Sequence, residues 1–132
     1  MRVDCEPDPQ KPGYIKVTPY GPIDSDTYLE FQGQLQTALS QHAKIILLDM
    51  AQVDYISSLG LGVLITAKKS LRAAGGDLLF CNLKAQIRRL FEIVKALPQE
   101  SLFQSVEEAD RYFYDMMNRV IEAEKKKGGE AQ

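Results

Sequence analysis

Lys44–Met50 reads KIILLDM and, after Ala51 and Gln52, Val53–Gly62 reads VDYISSLGLG. An unbroken apolar run flanked by polar residues is the pattern of a strand covered on both faces. From about Leu59 the apolar spacing changes to that of a helix. At roughly 100° per residue, Gly60, Val63, Leu64, Ala67, Leu71 and Ala74 share one arc, which is predicted to face a core. Ser57 and Ser58 therefore stand where a strand gives way to a helix. Backbone N–H groups without helical partners and the positive end of the helix dipole favour a hydroxyl cap there, and equally favour an added phosphate.

Outward from this centre the alternation of strand and helix continues. Tyr14–Pro19 alternates like a half-buried strand, and Gly21-Pro22-Ile23-Asp24 turns the chain. Asp24 or Ser25 can cap a helix carrying Tyr28, Phe31, Leu35, Ala38 and Leu39 on one face. After the central helix, Gly75-Gly76 supplies a stop. Asp77–Asn82 is predicted as a third strand, followed by a helix from about Lys84 with Ile87, Leu90, Phe91 and Val94. Ser101–Ser105 reads as a short fourth strand, and a last helix from about Val106 carries Ala109, Phe113, Met116, Met117 and Val120. Such alternation predicts one α/β domain over 13–121, a small, mostly parallel or mixed sheet of four to five strands packed against about four helices. Residues 1–12 are expected to form a loose arm, because Pro7, Pro9 and Pro12 cannot donate to a ladder. Residues 122–132, rich in charge, are expected to form a disordered tail.

Composition narrows the function. A chain of 132 residues, with 45% hydrophobic and 26% charged residues, fits one ordinary globular domain. Its net charge of −2 argues against a nucleic-acid partner. Cys5 and Cys81 stand far apart with no neighbouring histidine, so neither a disulfide framework nor a metal site is expected. Acidic residues and prolines occupy the start, where a signal peptide needs an apolar stretch, and no run approaches the roughly 20 apolar residues of a membrane span. A bacterial-type cytoplasmic protein is the expectation.

Ile56-Ser57-Ser58-Leu59-Gly60-Leu61-Gly62 resembles the phospho-switch loop of STAS domains, the anti-sigma factor antagonists. That family commonly reads Asp-Ser-Ser/Thr-Gly-Leu-Gly or Ile-Ser-Ser-Ala-Gly-Leu here. Gly21-Pro22-Ile23-Asp24 resembles the family's Gly-x-x-Asp turn after the first strand, and the two matches come in the expected order. Aligned on Gly60-Leu61-Gly62, the family's aspartate falls on Ser57, its first hydroxyl residue on Ser58 and its second on Leu59. The resemblance therefore implies Ser58 as phosphoacceptor, with Ser57 in reserve, although both serines could serve only as helix caps. Leu61 and Ile65 fall off the core arc, beside Lys68 and Arg72. With Asp24, Ser57 and Ser58 they are predicted to form a partner-binding surface.

What the resemblance implies is partner switching by a chain that is not itself an enzyme. The unmodified form would bind an anti-sigma factor that is also a GHKL-type serine kinase, and phosphorylation of the loop serine would release it. A metal-dependent serine phosphatase would restore binding. ATP and metal would belong to those partners, leaving this chain without a cofactor. The alternative is a STAS accessory subunit of an ATP-driven lipid transporter, without direct membrane insertion. A hydrolase is not supported, since a nucleophile elbow needs glycine where Ile56 stands and His42 is the only histidine. Gly60-x-Gly62 lacks both a third glycine and a following Gly-Lys-Ser/Thr, which argues against nucleotide binding. Lys84, Arg88 and Arg89 can form a basic helix face or a solvated exterior.

Overall fold

The computed structural model describes residues 1–93, 102–103 and 105–111. Strands β1 (Arg2–Pro7), β2 (Tyr14–Tyr20), β3 (Ile45–Asp49), β4 (Asp77–Cys81) and β5 (Leu102–Phe103) form one sheet in chain order. β1 runs antiparallel to β2 and the remaining neighbours are parallel, so the sheet is mixed. Helices α1 (Tyr28–Ser40), α2 (Ser58–Ala73) and α3 (Ala85–Ile93) make the crossovers, and a further helical stretch covers 106–111.

The side-chain period of two sorts the core into two layers. Ile15 and Val17, Ile46 and Leu48, and Leu78 and Phe80 face Phe31 and Leu35 of α1, Leu64 and Leu71 of α2, and Ile87 and Phe91 of α3. The intervening residues Tyr14, Ile45, Leu47, Leu79 and Cys81 meet Phe103, Val106 and Ala109 on the other face. β3 is thus apolar and buried from Ile45 to Leu48 because both of its faces are covered, as its unbroken run predicts. Phe80 and Phe91 pack edge to face, with ring centroids 5.1 Å apart.

The N-terminal segment differs from expectation. Arg2–Pro7 is a strand, paired in register from Arg2↔Tyr20 to Pro7↔Ile15, rather than part of a loose arm. The prolines are compatible because β1 is an edge strand with Pro7 as its last residue, while Pro9 and Pro12 lie in the connection to β2. Pro19 lies beyond the β2–β3 ladder, which ends at Val17↔Leu48, so no hydrogen bond is lost there either. The expected tail over 122–132, and Val94, Phe113, Met116, Met117 and Val120, lie outside the described residues.

The second layer carries a pH dependence. Burial, reinforced by Asp49, pushes the Cys81 thiol up to about 12. Burial and the hydrogen bond to Asp110 (2.7 Å) also raise the Tyr14 hydroxyl above its usual value. Both groups keep their protons longer folded than unfolded. Their contribution to stability is therefore complete below pH 9, the ordinary thiol value, and declines as pH rises toward 12. Urea titrations between pH 8 and 11 are expected to show this decline, and Cys81→Ala should remove its first part, up to about 1.4 kcal/mol per pH unit. A variant with an unchanged slope would refute the assignment.

Candidate functional site

The site lies at the carboxyl ends of the parallel strands, where the starts of α1 and α2 are fastened together. Ile23 and Ile56 form an isolated parallel bridge, and both are buried. The Ser57 N–H donates to the Ile23 carbonyl (2.8 Å), and the Ile23 N–H donates to that of Tyr55 (3.0 Å). These bonds extend the β2–β3 pairing past the regular strands and hold the serine loop rigidly beside the α1 turn. Gly60 makes the close approach possible. A Cβ there would lie 2.6 Å from Ile23 Cγ2 and 2.7 Å from the Ile23 carbonyl oxygen. Gly62 has open space where a side chain would go, so close packing does not explain it.

The two serines have different surroundings. Ser57 is the N-cap of α2, with extended backbone and a half-buried side chain whose Oγ accepts from the Gly60 N–H at 3.2 Å. Ser58 is the first helical residue, and its side chain is exposed. Tyr55 and Leu59, 56% and 47% exposed, flank it as apolar side chains with little cover. Sequence reasoning did not place either on the surface; their signal was a large apolar residue on each side of Ile56-Ser57-Ser58. It also missed Gln86, whose Nε2 donates to the Asp54 carbonyl (3.2 Å) and ties the start of α3 to the loop.

Asp24 stands next to Ile23, half-buried. Its Oδ1 accepts from the Asp26 and Thr27 N–H groups (2.9 and 3.1 Å) and from the Thr27 hydroxyl, while its own N–H donates to Thr27 Oγ1 at 2.9 Å. This reciprocal arrangement closes the turn into α1; the N-cap itself is Thr27, with no side-chain cap bond, rather than Asp24 or Ser25 as expected. Both contributions are measurable by urea unfolding: Asp24→Ala, which opens the turn, and Ser57→Ala, which removes the α2 cap, should each cost about 1 kcal/mol, whereas Ser58→Ala should stay within about 0.5 kcal/mol of the parent. An equal loss for the two serines would contradict the division of roles.

The rest of the predicted surface needs correction. Lys68 is 3% exposed, not part of an open face; its ammonium pairs with Asp77 Oδ1 (2.8 Å) and donates to the Leu78 carbonyl (3.1 Å). Leu61 and Ile65 are half-buried and packed against the main core, so they offer less open surface than expected. One physical fact explains all three: α2 lies across β4, so its buried face extends past the narrow arc to the stripe 61–65–68. Arg72, at the end of that stripe, is exposed in the last turn of α2.

These features find counterparts in known proteins. The model of the STAS domain family matches residues 7–109. The chain belongs to the STAS domain family. BtrV of Bordetella bronchiseptica, named as an anti-sigma factor antagonist, is 34% identical over 73 residues, spanning 55% of this STAS chain and 63% of BtrV. The chain thus covers just under two thirds of that relative's length. The anti-sigma-B factor antagonist of Listeria monocytogenes is 30% identical over 93 residues, 70% of this chain and 82% of that protein. Among solved structures, the anti-sigma factor antagonist SpoIIAA in its unphosphorylated form superposes with a TM-score of 0.64 at 17% identity, covering 90% of this chain and 97% of SpoIIAA; that likeness shows the shared STAS fold. No helix among the described residues is long and apolar enough to cross a membrane.

Proposed function

We propose that this STAS chain is an anti-sigma factor antagonist that works by partner switching, with Ser58 as the phosphorylated residue. The observation that carries this reading is the exposed Ser58 side chain at the start of α2, beside a neighbouring serine already engaged as a cap. The unmodified loop binds an anti-sigma factor that is also a serine kinase. Phosphate on Ser58 adds about −1.5 to −2 charge between Tyr55 and Leu59, which disrupts an apolar contact and releases the partner. A metal-dependent serine phosphatase restores the binding form. The chain contributes recognition and an acceptor hydroxyl and catalyses no reaction itself. Names of the two curated relatives support the antagonist role; neither is named as a transporter subunit.

Binding measured by calorimetry tests the switch. Phosphorylated protein should bind the cognate kinase at least about tenfold more weakly than unmodified protein, a difference of about 1.4 kcal/mol. Equal affinities for the two forms would refute it.

A further inference from the structure

The start of α3 is built against ordinary helix electrostatics. The Lys84 carbonyl accepts from the Ile87 and Arg88 N–H groups (3.0 and 2.9 Å), which puts Lys84 at the cap position with no side-chain acceptor to offer. Arg88 follows one turn later and Arg89 beside it, and the first turn holds no acidic residue. Cations at a helix N-terminus oppose its dipole, and like charges four residues apart repel. Among the described residues none of the three forms an ion pair, Asp54 in the adjacent loop included. Lys84 and Arg89 are exposed and Arg88 is half-buried, on a chain whose net charge is −2. The one acidic residue on α3 is Glu92, a turn beyond Arg88 and at the far end from Lys84, so the dipole cost at the start of the helix is not offset there. Breaches of local rules of this kind concentrate at functional surfaces.

Placement supplies the second argument. The Gln86–Asp54 hydrogen bond seats the cluster beside the serine loop, while the Ser57–Ile23 bond seats acidic Asp24 and Asp26 on the opposite side. Charge along this end of the sheet therefore runs from acidic at α1, through Tyr55, Ser58 and Leu59, to basic at α3. We propose that the basic start of α3 is the second half of the docking surface and receives an acidic patch on the kinase that modifies Ser58. This rests on the switch reading above. The apolar pair supplies contact area, and the polarity of the two flanks steers the encounter and fixes its orientation.

The test uses the purified kinase that phosphorylates this protein, with association rates measured at low and high salt. The triple variant Lys84→Glu/Arg88→Glu/Arg89→Glu should associate about tenfold more slowly at low salt and lose the salt dependence seen with the parent. Because Arg88 is half-buried, the exposed pair Lys84→Gln/Arg89→Gln is measured beside it and should slow association about threefold while the melting temperature holds or rises, since cations opposing the dipole are removed. Parental rates in both variants would overturn the α3 proposal and leave the switch intact. Failure of the parent protein itself to bind the kinase would overturn the switch reading and this proposal with it.

Discussion

Gly60→Val should break the serine loop without altering either serine. A Cβ at this position already falls 2.6 Å from Ile23 Cγ2 and 2.7 Å from the Ile23 carbonyl oxygen. That carbonyl accepts the Ser57 N–H, so it cannot retreat without opening the bond that joins the α1 turn to the loop. A branched side chain adds two methyl groups to the clash. Overpacking in a tight core costs about 1–3 kcal/mol, and the lost bridge puts this variant at the upper end, about 3 kcal/mol or more. Loss of partner binding should accompany it, because the start of α2 positions Ser58. Gly62→Ala is the control: its position is helical, exposed and open, so alanine should stabilise by up to about 1 kcal/mol. Urea midpoints with equal slopes give both values. A stable Gly60→Val, or a strongly destabilised Gly62→Ala, would show that the close approach to Ile23 is misplaced.

Lys68→Ala should destabilise the fold by a similar amount, about 3 kcal/mol, for a different reason. The substitution removes a buried aliphatic stem and leaves the partly buried Asp77 carboxylate with the Leu78 N–H (2.8 Å) as its remaining hydrogen bond in this cluster. Breaking a buried pair from one side typically costs about 3–5 kcal/mol; the partial exposure of Asp77 places this case at the lower end. Lys68→Met keeps the stem and should lose less. If Lys68→Ala proved as stable as the parent while partner binding fell, the residue would belong to the docking surface after all.

Lys68 also shows where sequence reading stops. The helical period correctly put Gly60, Val63, Leu64, Ala67 and Leu71 on the buried face of α2, but not Ala74, which is the exposed C-cap where the helix has ended. It could not give the width of that face, which depends on how the helix crosses β4. Nor does residue type reveal that a lysine stem will run along a helix to reach a carboxylate at a strand end. The strands were legible wherever burial is two-sided, as in Ile45–Asp49, because an apolar run that is unbroken yet too short for a helix fits a strand covered on both faces. β1 was hidden by Pro7 and by Pro9 and Pro12 just beyond it, since the effect of a proline depends on whether a strand lies at an edge. At the site, Ser57, Ser58 and Asp24 could be picked out by motif. Their separate duties could not, since two adjacent serines differ only in backbone placement, which turns Ser57 onto the Gly60 amide and leaves Ser58 exposed.

That separation has a mechanistic consequence. Ser57 holds the Gly60 N–H and is already committed to the fold, so the loop can remain formed while Ser58 changes charge. Phosphate at Ser58 would stand beside the N-terminal amides of α2, where the dipole favours it, and would act on the partner rather than by unfolding the loop. The central claim is that Ser58 alone takes the phosphate. Incubation with the cognate kinase and ATP, followed by peptide mass mapping, should find one phosphate on Ser58 in the parent and in Ser57→Ala, and none in Ser58→Ala. Phosphate on Ser57 in the parent protein, or on neither serine with a kinase shown to be active, would contradict the account.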